Sequence, residues 1–114
     1  MLEVRRSIIK RRTPKNGVEH PKFSNTWFAQ VTENWDQLLA QLKPTKILEI
    51  GSWEGASACY LIEKLGPTSN LELHCVDTWA GGIEHDEDMK LVEQRFVQNT
   101  ELAMAKVPGK VSLI

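Results

Sequence analysis

The chain reads as an α/β fold: a partial doubly wound, Rossmann-like parallel sheet of three strands with flanking helices, preceded by an N-terminal helix. Three observations predict it. An apolar strand at 46–50 runs into the glycine-spaced turn Gly51-Ser-Trp-Glu-Gly55, which opens directly into an amphipathic segment. A second apolar strand, about twenty residues on, ends in an acid, Val76-Asp77. Strands then alternate with helical segments long enough for crossovers, which argues parallel pairing with right-handed connections.

Taken in order, residues 1–23 form a basic N-terminal segment and residues 24–114 the α/β domain. The segment carries Arg5, Arg6, Lys10, Arg11, Arg12 and Lys15 against Glu3, with a turn signal at Thr13-Pro-Lys-Asn-Gly17. It suits either a nucleic-acid or phosphate-binding arm or a solvated or partner-docked terminus. Ser24, Asn25 or Thr26 can cap a helix whose apolar stripe is Phe28, Val31, Trp35, Leu38, Leu39 and Leu42. Pro44 ends it. Trp27 and Trp35 fall at helical spacing and are expected in the core.

The run Lys46-Ile-Leu-Glu-Ile50 is too short and too apolar for a helix, so it predicts a strand buried on both faces. A helix over 57–65 places Ala58, Leu61, Ile62 and Leu65 on its packing side. Gly66-Pro67 is its expected stop, with Gly66 in the left-handed cap. The second strand is expected over 71–77, followed by a loop over 79–87 containing Gly81-Gly82. Asp86 or Asp88 can cap a further helix over roughly 89–107, and Pro108-Gly109 turns the chain into a third strand over 110–114.

Composition bounds the rest. At 114 residues the chain is one domain, and 41% hydrophobic with 25% charged residues is ordinary for a globular protein. A net charge of −1 gives no whole-chain signal for nucleic acid, and no apolar stretch reaches the length of a membrane span. The basic N-terminus lacks the apolar run of a secretory signal, so the expected compartment is cytoplasmic. Cys59 and Cys75 have no metal-type spacing and are expected as free buried thiols.

The chemistry lies at the strand ends. The first glycine of the turn lets the chain leave the strand sharply; the second lets the backbone pass close to a ligand or to the adjoining helix. The helix start beyond leaves unpaired N–H groups and partial positive charge, suited to a carboxylate or phosphate. The dinucleotide fingerprint needs a glycine where Trp53 stands, and no Gly-Lys-Ser/Thr comes after it for a P-loop. Glu84-His85-Asp86-Glu87-Asp88 contains metal-ligand residue types but reads as a solvated helix cap, and no metal is expected.

With Glu49 before the turn and Asp77 at the second strand's end, the sequence resembles the N-terminal half of a class I S-adenosylmethionine-dependent methyltransferase. Glu49-x-Gly51-x-x-x-Gly55-x-Ser57 is similar to the first motif of the catechol-type and caffeoyl-CoA-type O-methyltransferases and their bacterial relatives. Val76-Asp77-Thr78-Trp79, with Gly82-Ile83-Glu84-His85 beyond it, resembles the second motif of bacterial members of that broad group. The resemblance covers roughly residues 27–114. It implies S-adenosylmethionine as cofactor, with Glu49, Gly51, Ser52, Trp53 and Gly55 around its methionine part and Asp77, with Thr78 next to it, accepting from its ribose hydroxyls. Ser57 either donates to the cofactor carboxylate or caps its helix.

A full enzyme of that kind continues into a fourth strand and the substrate-binding half, so the chain is expected to bind cofactor without catalysing transfer alone. The alternative is a non-catalytic homodimeric α/β module that binds a nucleoside or only mediates assembly. The homodimer is expected because the first strand, central in the parent topology, becomes an apolar sheet edge without the fourth strand, inviting antiparallel pairing across a two-fold axis.

Overall fold

The computed structural model of the chain describes residues 19–81 and 88–114. The basic residues 1–18, and the loop over 82–87 with its candidate metal-ligand types and the alternative cap Asp86, lie outside the described residues. A 3-10 turn, Phe28–Val31, leads into α1, Thr32–Leu42. Then come β1, Lys46–Ile50; α2, Ala56–Leu65; β2, Leu71–Val76; α3, Met89–Ala105; and β3, Val111–Leu113. The three strands form one parallel sheet in the order β1-β2-β3, with Ile50 level with Val76 and Leu73 level with Leu113. This is a partial Rossmann-like α/β arrangement.

The core lies on one side of the sheet. Leu71, Leu73 and Cys75 alternate inward along β2 and meet Ala58, Leu61, Ile62 and Leu65 of α2 and Phe96 and Ala103 of α3. The residues between them, Glu72, His74 and Val76, are only half-buried. The expectation that β1 is buried on both faces is corrected: Leu48 is 62% and Ile50 79% exposed. The cause is topological. Successive right-handed crossovers that step in one direction across a sheet put both connecting helices on the same face. Ile47 packs against the core side, while Leu48 and Ile50 point away from it.

Two further expectations change. Gly66 is not in the left-handed region: its φ is −54°, and Lys43, after α1, takes that conformation with φ 46°. Gly66 is instead a packing glycine, since a Cβ there would strike the carbonyl of Ile62 and the side chain of Val107. The stripe of α1 is only partly used. Leu39 is buried and Trp35 packs against the core, but Val31, Leu38 and Leu42 are exposed. Phe28, Trp35 and Tyr60 interlock edge-to-face at 5.1–6.3 Å, and the Tyr60 hydroxyl donates to Asp36, fixing α1 against α2.

Candidate functional site

The predicted cofactor-site residues gather at the carboxyl end of the sheet, where β1 and β2 release their chains side by side. Gly51, with φ 84°, turns the chain out of β1 while its N–H donates to the Val76 carbonyl at 2.7 Å. The turn is then pinned by one carboxylate. Asp77 Oδ2 accepts the backbone N–H groups of Ser52 (2.8 Å) and Trp53 (2.9 Å), and Oδ1 accepts that of Trp79 (2.8 Å). The last contact is an Asx turn, the local geometry an aspartate favours two residues ahead. Trp53 and Trp79 both adopt positive φ, 51° and 48°, a region costly for bulky side chains. Their strain is offset by cross-bracing, because Trp79 Nε1–H also donates to the Trp53 carbonyl at 3.1 Å.

Behind this turn sits Glu49. Its Oε2 accepts from Ser57 Oγ at 2.5 Å, and the Cys75 thiol approaches Oε1 at 4.0 Å. Burial raises its pKa above the ordinary glutamate range; the Ser57 and Ser52 hydroxyls pull the other way, and the nearby charge of Asp77 adds to the rise. Glu49 and Asp77 are therefore neighbours at one end of the sheet. Burial likewise pushes the Cys75 thiol up to about 12, with Glu49 adding to it, and raises Cys59 further still. Both cysteines are free and buried, inert as nucleophiles.

An open crevice of about 290 Å³ lies outside the turn, lined by Trp27, Gly51, Trp53, Asp77, Thr78, Gly81 and Met89. Of the predicted site residues, Gly51, Trp53, Asp77 and Thr78 line it. Glu49, Ser52, Gly55 and Ser57 stand one layer behind. Ser52 is buried, its Oγ close to Glu49 and Cys75 without completing a hydrogen bond. Ser57 Oγ donates to Glu49 and makes no cap hydrogen bond to α2. For Gly55, with φ 89°, the close neighbour is the adjoining helix: an added Cβ would sit 3.0 Å from the Phe96 ring and 3.4 Å from Thr100.

Three residues of importance escaped the sequence reading. Trp27 is not core but 57% exposed, its ring centroid 6.0 Å from that of Trp53. The stripe periodicity says nothing about a residue in the irregular lead-in to a helix. Glu54 is 1% exposed and holds the turn from behind: Oε1 accepts from the Ser24 N–H and Oγ, and Oε2 pairs with Arg95 at 2.9 Å. Asn99 completes that anchor, donating to the Glu54 and Lys22 carbonyls and accepting from the Lys22 N–H. This network carries the segment around residues 22–27 to the rim of the crevice.

Asp88 caps α3 through the Lys90 N–H at 3.0 Å, which settles the choice of cap in its favour. No cluster of metal-ligating side chains exists among the described residues, and no helix there is long and apolar enough to cross a membrane. The crevice thus offers a carboxylate, two indole walls and close glycine backbone, with no basic side chain among its described lining residues. Compared with models of known families, with curated proteins and with solved structures, the chain matches none of them significantly.

Proposed function

We propose that the crevice binds S-adenosylmethionine and that the chain is the cofactor-binding portion of a class I methyltransferase-like protein. The observation that carries this is the position of Asp77. It directly follows β2 beside the glycine turn, lines the crevice, and keeps hydrogen-bonding capacity. A carboxylate has about four lone-pair sites, and three are filled here by backbone N–H groups, leaving one on Oδ1. One ribose hydroxyl fits that site directly. The resemblance of Glu49-x-Gly51-x-x-x-Gly55-x-Ser57 to the first motif of the catechol-type enzymes supports the same assignment. Cofactor binding, not methyl transfer, is the activity these residues account for. Transfer needs donor and acceptor held at near-attack distance, and this crevice is a single open wall.

Calorimetry with S-adenosylmethionine and S-adenosylhomocysteine tests the assignment. A hydrogen bond to a charged acceptor contributes about 1.5–3 kcal/mol, so Asp77→Asn is expected to weaken binding roughly ten- to hundredfold. Absence of binding to the unmodified chain at millimolar ligand removes the proposal. Equal affinity in a folded Asp77→Asn variant removes only the ribose assignment.

A second reading, a homodimeric assembly module, is favoured by one specific observation. Among the described residues β1 pairs only with β2, and it presents Leu48 and Ile50 to solvent. An apolar strand edge of that kind is a template for pairing with a second copy. The two readings are compatible, since edge and crevice involve different residues.

A further inference from the structure

We propose that residues 22–27 form a strap that closes over the crevice, with Glu54 as its latch, so that strap docking and ligand binding stabilise each other. The strap deepens the cofactor assignment above and rests on it for the ligand's identity; the latch itself is built behind the turn. Residues 22–27 contain neither helix nor strand, and Lys22, Phe23 and Ser24 lie at the surface. They are held from below. Ser24 donates its N–H and its Oγ to Glu54 Oε1, each at 2.8 Å. Lys22 donates its N–H to Asn99 Oδ1 at 2.8 Å, and its carbonyl accepts from Asn99 Nδ2 at 2.9 Å. Asn25 Oδ1 accepts the Trp27 N–H at 3.2 Å, a local turn that ties Trp27 to the rest of the strap. Beyond it Phe28 is fixed by the rings of Trp35 and Tyr60, 5.1 and 5.2 Å away.

The receptors are buried, Glu54 at 1% and Asn99 at 3% exposure, while the groups they hold are at the surface. Lifting the strap therefore hydrates these polar groups and does not strand them. Glu54 keeps Arg95 on Oε2 at 2.9 Å, and its carbonyl keeps Asn99 at 3.0 Å. None of residues 22–27 belongs to the hydrophobic core, so little apolar burial is lost. An opening of this kind is local and lies below the free energy of global unfolding.

The crevice joins strap and turn. Trp27 of the one and Gly51 and Trp53 of the other line it together, and Glu54 is the residue after Trp53. A ligand that touches both walls binds the docked arrangement better than the lifted one. By linkage its binding free energy adds to the latch, and the latch adds to its affinity. Glu54 and Ser24 are thus positioning residues, acting on the crevice through the strap.

Amide exchange of the full chain tests this at Lys22 and Ser24, whose N–H groups make the latch, against the amides of β2. In the free chain both latch amides are expected to exchange faster than those of β2. S-adenosylmethionine at about a hundred times its dissociation constant suppresses any opening that must release it by roughly a hundredfold, and the latch amides are expected to slow by up to that factor. The β2 amides slow in either case and report that ligand is bound. Ser24→Ala removes one hydrogen bond to the carboxylate at an exposed position, and is expected to speed Lys22 exchange in the free chain roughly three- to tenfold. Ser24→Thr keeps the hydroxyl and is expected to restore the slower rate.

Unchanged exchange at Lys22 and Ser24 while the β2 amides slow overturns the strap and leaves the cofactor assignment standing. Free-chain exchange at both positions as slow as in β2 also overturns it, because the segment then has no opening of its own. Calorimetry that finds no binding of S-adenosylmethionine removes the cofactor assignment and the strap's role with it.

Discussion

Glu49 is a carboxyl enclosed between a serine hydroxyl and a cysteine thiol, and its raised pKa is a statement about stability. The folded state holds that proton to a higher pH than the unfolded chain does. Between the ordinary glutamate value, about 4.3, and the raised one, the folded state binds more protons, so stability falls as pH rises through that window. Above it the loss is complete. Below it Glu49 is protonated in both states and costs nothing. Glu49→Gln keeps an acceptor for Ser57 and removes the buried charge. Urea unfolding at pH 4 and at pH 7.5 is therefore expected to show the variant gaining on the unmodified chain at the higher pH only. A gain of equal size at both pH values assigns the effect to packing instead. Asp77, which stands nearby, accepts three backbone N–H groups and lines the open crevice. Two acids that look alike as strand ends in the sequence thus take separate roles, one behind the turn and one in front.

At the scale of elements, the glycine turn is held less by its own residues than by a buried anchor from three directions. Glu54 receives Ser24 from 30 residues away and Arg95 from 41, and Asn99 ties its carbonyl to Lys22. Removing a buried, charge-assisted set of this kind costs several kcal/mol when the partner charge is left buried; Arg95 is partly exposed, so about 2–3 kcal/mol is expected for Glu54→Ala. Hydrogen exchange gives the sharper readout. The amide of Ser24 is expected to lose protection in Glu54→Ala, and that of Lys22 in Asn99→Ala, while the amides of β2 keep theirs. Retained protection at Ser24 removes the anchor. The sequence reveals the strands and the turn because their signals are local: Ile47-Leu48-Glu49-Ile50 is a continuous apolar run with one acid, and Gly51 and Gly55 punctuate the stretch between that strand and α2. It does not reveal Glu54, whose partners lie on other elements, nor the exposure of Trp27, which depends on where the lead-in to α1 is tied. Gly66 shows the same limit, since a stop signal and a packing glycine read identically until Val107 arrives from the far end of α3.

Across the whole molecule, the described residues cover the sheet on one face only. The α-side face buries Leu71, Leu73 and Cys75, while the opposite face leaves Leu48 and Ile50 open on the edge strand, with Val76 half-buried beside them. Parallel sheets are ordinarily covered on both faces, so this is the largest departure from the fold's usual pattern. The family resemblance anticipates the exposed edge, while the residue pattern does not show that the apolar run of β1 splits into an inward and an outward set. Each exposed Leu or Ile forgoes about 1.5–3 kcal/mol of burial, enough in pairs to drive association. Antiparallel pairing of two β1 edges across a two-fold axis, centred on Leu48, brings Leu48 against its own copy and Ile50 against the aliphatic stem of Lys46. It also extends the open face into a continuous apolar strip. Light scattering after size exclusion is expected to give a dimer at micromolar concentration. Leu48→Lys with Ile50→Lys is expected to give a monomer of undiminished urea stability per chain, since neither side chain contributes to the core. A monodisperse monomer of the unmodified chain removes the edge-paired assembly. A dimer that survives both substitutions moves the interface to the exposed face of α1, where Leu38 and Leu42 stand one turn apart.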